Sequence, residues 1–237
     1  MADLEAVPED WSSALVVVAH PDDMEYGGAG AIARWTAQGK NIAYLLACRG
    51  ENGIDSLEPT VCGPLRVAEQ IAACVAVGVT EVEFLDHPDG TIEYGLPLRR
   101  DIAAAIRRHK PEFVITGNHR ETWPGGGLNM ADHIAVGRAT VDAVRDAGNR
   151  WIFPELGLEK WEGVKYVAAA SSPLATHAVD ITDSFYASVV SLRAHKAYLE
   201  ALSGDMADPA TFLRSMAENV GKRFGGGLAT SFELLAL

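Results

Sequence analysis

The chain has no run of lysine or arginine: 20 basic residues stand against 32 acidic ones, for a formal net charge of −12. A partner whose phosphates must be neutralised needs a basic face, so neither nucleic acid nor an anionic membrane is an expected partner. Cysteine is scarce, with three in 237 residues and no CxxC pair. An odd, scattered set does not make a disulfide framework, and Cys48, Cys62 and Cys74 read as small reduced core residues. Long apolar runs are missing too. The longest, over 14–19 and 71–77, fall far short of the roughly 18 to 20 residues of a membrane-spanning helix. The acidic first eleven residues lack the basic start and apolar stretch of a secretory signal, so a soluble cytoplasmic protein is expected. There is no internal repeat, no Pro/Ser-rich linker and no low-complexity block.

What is present is 48% hydrophobic residues arranged in a regular alternation. Short runs rich in Val, Ile, Leu and aromatics predict strands over 15–19, 42–48, 82–85, 113–116 and 164–170. Each is almost continuously apolar, as strands buried on both faces are. Between them, Ala-rich segments with charges recurring on one face predict helices over 30–38, 65–77, 98–109 and 131–147. Two further helices are expected over 186–202 and 209–220, followed by a Gly-Gly-Gly turn and an apolar tail over 231–237 that reads as a docked strand or an interface segment. The fold class is therefore α/β: a single domain over 1–237, Rossmann-like, with a mostly parallel sheet flanked by helices. The apolar tail and the loop tryptophans also suggest a homo-oligomer.

The densest chemistry is Ala19-His20-Pro21-Asp22-Asp23-Met24-Glu25, where the first long strand ends. Ligands of open α/β sheets bind at that carboxyl edge. One imidazole and three carboxylates buried together are costly unless something positive neutralises them, and a metal ion does so. A second histidine at the same edge comes from Asn129-Met130-Ala131-Asp132-His133, which follows the strand over 113–116 through a Gly-rich loop and opens a helix. Two histidines and one aspartate make an open three-ligand site, which suits hydrolytic zinc, with iron or cobalt as alternatives.

These motifs resemble the zinc-dependent deacetylases related to N-acetylglucosaminyl-phosphatidylinositol de-N-acetylase, the PIG-L/LmbE family. The resemblance also takes in Arg49-Gly50-Glu51-Asn52-Gly53, the spaced Arg66 and Glu69, and Leu192-Arg193-Ala194-His195. It implies that His20, Asp23 and His133 hold zinc, that Asp22 is the general base, and that Asp132 belongs to the catalytic group from behind the ligands. It further implies that Arg66 and Asp89 contact a sugar-like, N-acetylated small molecule, from which a metal-bound water removes the acetyl group. One position departs from the family pattern. Many relatives carry a histidine three residues before the last zinc histidine, where this chain has Met130. His119 and His177 are then the candidates to support the tetrahedral intermediate.

Each residue also has a plainer reading. Asp22 or Asp23 could cap the first helix, and Asp132 the helix that His133 enters. Arg66 could be a surface or ion-pairing residue, and His195 could be simply packed. Other functions compete as well. Gly28-Ala29-Gly30-Ala31-Ile32-Ala33 mimics a dinucleotide-binding loop, but it lies too far from the strand, and no acidic residue ends the second strand, so these glycines read as close-packing positions. A two-histidine, one-carboxylate iron oxygenase is disfavoured by the strand–helix alternation. A metal-binding relative without deacetylase activity is kept open by Met130.

Overall fold

Side chains along the first long strand, β2 (Ser13–Val18), point alternately to two apolar layers, as the two-residue period of a strand requires. Ala14, Val16 and Val18 enter one buried cluster, while Leu15 and Val17 enter the other. β3 (Asn41–Leu46) divides its residues in the same way, with Ile42, Tyr44 and Leu46 on the first face and Ala43 and Leu45 on the second. Both strands are thus interior, and each fully buried Leu or Ile contributes about 1.5–3 kcal/mol.

The computed structural model describes residues 3–235 and 237. Met1, Ala2 and Ala236, which belong to the expected acidic start and apolar tail, lie outside the described residues. The chain runs β1 (Glu5–Ala6), β2, α1 (Asp23–Gly27), α2 (Ala29–Ala37), β3, α3 (Pro59–Ala76), β4 (Glu81–Phe84), α4 (Leu96–His109), β5 (Phe113–Thr116), α5 (Ala131–Gly148), β6 (Tyr166–Ala170), β7 (His177–Asp180), α6 (Phe185–Arg193), α7 (Lys196–Ala201), α8 (Pro209–Gly221) and β8 (Ala229–Leu235). These strands form one eight-stranded sheet in the order β1-β7-β8-β6-β5-β2-β3-β4. All pairings are parallel except those of β8, which runs antiparallel between β6 and β7. α4 and α5 pack on the face of Leu15 and Val17; α2, α6 and α8 pack on the other. The α/β reading with a mostly parallel, helix-flanked sheet holds, and of the two readings of the tail the docked strand is the one formed.

β3 lies on one side of β2 and β5 on the other, so the chain reverses direction across the sheet at β2. Such a switch point opens a crevice at the carboxyl ends of the strands. The loops after β2 and β5 both empty into it.

Three expectations are corrected. The helix expected over 30–38 forms as α2, but a short helix that the sequence reading does not include, α1, precedes it from Asp23, with Gly28 between them. Of the glycines there, Gly30 allows close approach of Ile181, where a Cβ would lie 2.8 Å from Cδ1, while a Cβ on Gly28 would lie 2.5 Å from Met24 Sδ and 3.7 Å from Phe232 Cζ of β8. The helix expected over 186–202 is two helices, broken at Ala194 and His195. β1 and β7 were not expected at all; they are short, and β7 has only two apolar residues, Ala178 and Val179. The three cysteines are free and buried, as expected.

Candidate metal centre

Asp23 is fixed by the end of β2 itself. Its Oδ2 accepts hydrogen bonds from the backbone amides of Ala19 (2.9 Å) and His20 (3.0 Å). That leaves Oδ1 facing His133 Nε2 at 3.0 Å and His20 Nδ1 at 3.6 Å. The two ring nitrogens are 3.2 Å apart, and the three groups form a cluster of candidate metal donors.

Hydrogen bonds on the far side of each ring fix where its proton sits. His20 Nε2 lies 3.1 Å from Asp132 Oδ2 and 3.2 Å from Asp89 Oδ1. Carboxylates only accept, so Nε2 carries the hydrogen and Nδ1 presents its lone pair. His133 Nδ1 lies 2.9 Å from Asn129 Oδ1. The amide of Asn129 is oriented by its Nδ2, which donates to the carbonyls of Asn118 and Arg120, so its oxygen faces His133 and accepts from Nδ1. Two imidazole lone pairs and a carboxylate oxygen therefore point at one another, an arrangement that repels itself unless a cation lies between them. The residues fit a divalent metal, with the histidines held by partners of the kind that metal-binding histidines use.

The electrostatics agree. Burial disfavours a charged His20 ring, yet Asp23 and the carboxylates of Asp132 and Asp89 raise its pKa well above the usual value. His133 is raised in the same way, burial being outweighed chiefly by Asp23. Asp23 is largely buried, but His133 and His20 hold its carboxyl far below the usual carboxylate range. The pocket attracts positive charge.

Asp22 stands apart from the donors. It holds the N-cap position of α1 without making a side-chain cap, at φ 86°, which is strained for a residue with a Cβ. Its amide donates to Gln70 Oε1 (2.9 Å), and its Oδ2 accepts from Arg66 Nη2 (2.5 Å). Burial pushes its carboxyl up to about 7 against the pull of Arg66.

The remaining expected site residues are placed as follows. Asp132 caps no amide of its own helix: it holds His20 and accepts from the amides of Gly90 (2.7 Å) and Ile92 (3.0 Å). Asp89 is buried behind His20, and its Oδ2 accepts from the Asn52 amide at 2.7 Å. Arg66 is 2% exposed and turned inward, donating to Asp22, to the Pro21 carbonyl (2.7 Å) and to Glu69 (3.1 Å). These contacts place Asp89 and Arg66 behind the cluster rather than in an open substrate cleft. His119 is buried against α5, where a Cβ on Gly137 would come within 2.6 Å of its own Cβ. Its Nδ1 has no partner, and burial lowers its pKa. His177 lies on β7 beside Thr176 and Glu5. Four strand spacings, about 19 Å, separate β7 from β2, so His177 is not brought to the cluster. Trp123 does approach it, edge-on to His133 with the ring centroids 5.6 Å apart.

Sequence reasoning gave no role to Asn129 or Gln70. Spacing could have found Gln70, which follows Arg66 by four residues within α3 and shares its helix face; Asn129 lies in the loop before α5, where no such spacing rule applies.

Residues 15–144 match the GlcNAc-PI de-N-acetylase family, PIG-L. The chain belongs to that family. Among sequence relatives of this PIG-L member, the 1D-myo-inositol 2-acetamido-2-deoxy-alpha-D-glucopyranoside deacetylase of Kineococcus radiotolerans is 31% identical over 163 residues, 55% of this chain and 44% of that protein. The diacetylchitobiose deacetylase of Thermococcus kodakarensis is 26% identical over 222 residues, 91% of this chain and 80% of that one. The matches to the inositol-conjugate deacetylases span about half the length of those proteins. In fold, the PIG-L chain is similar to N,N'-diacetylchitobiose deacetylase from Pyrococcus horikoshii, with TM-score 0.84, 21% identity, and coverage of 96% of this chain and 85% of that chain. It is also similar to the 4-carboxy-2-hydroxymuconate hydratase of Pseudomonas putida, with TM-score 0.74, 20% identity, and coverage of 95% and 97%. The fold alone therefore does not select a reaction. No helix among the described residues is long and apolar enough to cross a membrane.

Proposed function

We propose that this PIG-L member is a metal-dependent hydrolase that removes an N-acetyl group from an amino sugar or a related small conjugate. The observation that carries the reading is the convergence of His20 Nδ1, Asp23 Oδ1 and His133 Nε2, with the Asp22 carboxylate beside them and left out of the donor set. Sequence relatives named as deacetylases of acetamido sugars supply the substrate class.

His20, Asp23 and His133 would hold the cation. Nitrogen donors with one hard oxygen suit zinc, and iron(II) or cobalt(II) accept the same set. A divalent ion there supplies Lewis acidity, acidifying a water and polarising the amide carbonyl. Asp22 takes the proton of the attacking water at its carboxylate. Protonated in that step, its carboxyl then gives the proton to the departing amine nitrogen. Asp132 and Asn129 act through the histidines, holding each ring in the tautomer that presents a lone pair. Trp123 walls the site beside His133.

The test is metal analysis of the purified protein, followed by a screen of N-acetylated amino sugars for free amine and acetate. Asp22→Asn should keep its metal and lose at least about a hundredfold in kcat; retained turnover refutes the assigned base. Met130, 53% exposed at the start of α5 and bearing no proton to donate, favours a second reading: a relative that binds the metal without turnover. Metal binding with no acetate released from any sugar would select it.

A further inference from the structure

Arg66 makes hydrogen bonds to four residues, and one of these comes from the far end of the chain. His195 sits at the break between α6 and α7, is 0% exposed, and lies with Nδ1 3.2 Å from Arg66 Nη1. A guanidinium only donates, so Nδ1 accepts and the ring hydrogen sits on Nε2. That hydrogen points toward Glu25 Oε2, 3.9 Å away. Neither His195 Nε2 nor Glu25 Oε2 has a hydrogen-bond partner. Glu25 Oε1 accepts from Gln70 Nε2 (3.0 Å), and Gln70 Oε1 accepts from the Asp22 amide (2.9 Å). The hydrogen bonds form a buried chain from Glu25 through Gln70, Asp22 and Arg66 to His195, whose Nε2 ends 3.9 Å from Glu25 Oε2, too far for a hydrogen bond.

The helix break serves this hydrogen-bonded chain. A continuous helix over 186–202 would carry His195 onward with its helical neighbours. Instead His195 takes ψ 59°, and the Ala197 amide at the start of α7 donates to Glu69 Oε1 at 2.6 Å. Glu69 uses its other oxygen on Arg66. The Tyr198 ring covers the opposite side, 4.1 Å from the guanidinium carbon. Burial, and then Arg66, lowers the His195 pKa to about 3, so the ring stays neutral and Nδ1 stays an acceptor.

We propose that His195 is a positioning residue: by accepting from Arg66 Nη1 at the α6–α7 break, it sets the guanidinium that aims the Asp22 carboxylate at the reacting water. The catalytic part of this statement rests on the deacetylase reading; the geometric part does not. Asp22 needs such bracing because its backbone is strained and its side chain makes no local cap.

The test uses three variants of the metal-loaded protein. His195→Leu removes both ring nitrogens, His195→Asn keeps an acceptor where Nδ1 was, and His195→Gln keeps a donor where Nε2 was. A misplaced base costs about 10- to 100-fold in kcat, so Leu and Gln should lose that much with KM and metal content unchanged, and Asn should recover most of it. Crystal structures of the Leu and Asn variants supply a readout independent of turnover, with the Asp22 carboxylate displaced in Leu and restored in Asn. An unmoved carboxylate in His195→Leu, or equal kcat for Asn and Gln, overturns the proposal. If the wild type releases no acetate from any sugar, the deacetylase reading falls, and the carboxylate positions still decide the geometric claim. Should His195→Leu fail to fold, the comparison of Asn with Gln decides alone.

Discussion

Replacing Asp132 by asparagine should weaken metal binding without touching a ligand. The carboxylate is 2% exposed and accepts three hydrogen bonds, from His20 Nε2 (3.1 Å) and the Gly90 amide (2.7 Å) at Oδ2, and from the Ile92 amide (3.0 Å) at Oδ1. All three partners are donors. An amide of the same shape must turn its NH2 toward one side, and either side faces a hydrogen. The less costly orientation sets NH2 against Ile92, losing one charge-assisted bond and weakening two, about 1.5–3 kcal/mol in all. His20 then has a neutral acceptor in place of Asp132, its ring is less firmly held, and metal affinity should fall about 10- to 100-fold, or roughly 1.4–2.8 kcal/mol. Competition against a chromophoric chelator reads that number directly. At saturating metal, turnover should return close to wild type, because Asp132 acts through His20 rather than on the reacting atoms. A folded Asp132→Asn protein with unchanged metal affinity would refute the reasoning, and a loss of turnover that saturating metal does not repair would give Asp132 a direct catalytic part.

Three further outcomes can be measured. Arg107, 3% exposed, donates to the carbonyls of Asp146, Ala147, Asn149, Ile152 and Phe153 and so ties off the end of α5. Arg107→Met should cost about 3 kcal/mol or more and lower Tm by at least about 6 °C; an unchanged melting curve would sink this account. Metal at about a hundred times its Kd should add about 2.7 kcal/mol to stability, raising Tm in the wild type but not in His133→Ala, and equal shifts in both would place the metal elsewhere. The folded pKa of His195 is lowered to about 3 from an ordinary 6.5, so the unfolded chain takes up a proton that the folded chain refuses as pH falls through 6.5. Stability from this group is full above that value and declines toward pH 3. His195→Asn should therefore shallow the acid limb by up to about 1.4 kcal/mol per pH unit in urea denaturation, and parallel limbs would exclude a neutral buried ring.

Much of the scaffold could be read in advance because β2, β3 and β5 are buried on both faces, and continuous apolar sequence reports that directly. His20 and Asp23 could be singled out because they lie within four residues at a strand end, and His133 because it opens a helix at the same edge. The misreadings have a common cause. A charged side chain in an Ala-rich helix, such as Arg66, reads equally as a substrate contact, a surface residue or half of an ion pair until its partners 44 and 129 residues away are in place. Likewise, the helical pattern over 186–202 gives no local sign of the break, which is set by tertiary contacts at His195 and Ala197. His177 looked available because a histidine beside a threonine carries no mark of which strand it joins.

The position of β8 sets a demand on folding. β6 and β7 are near neighbours in sequence, yet they do not pair; each pairs with β8, which follows some fifty residues later. Until that segment arrives, the growing sheet presents two raw edges side by side, the sort of surface on which unfinished chains adhere to one another. Closure over so long a loop is slow, so truncation ahead of Ala229, or a substitution that weakens β8, should show first as aggregation during refolding rather than as a softer native state.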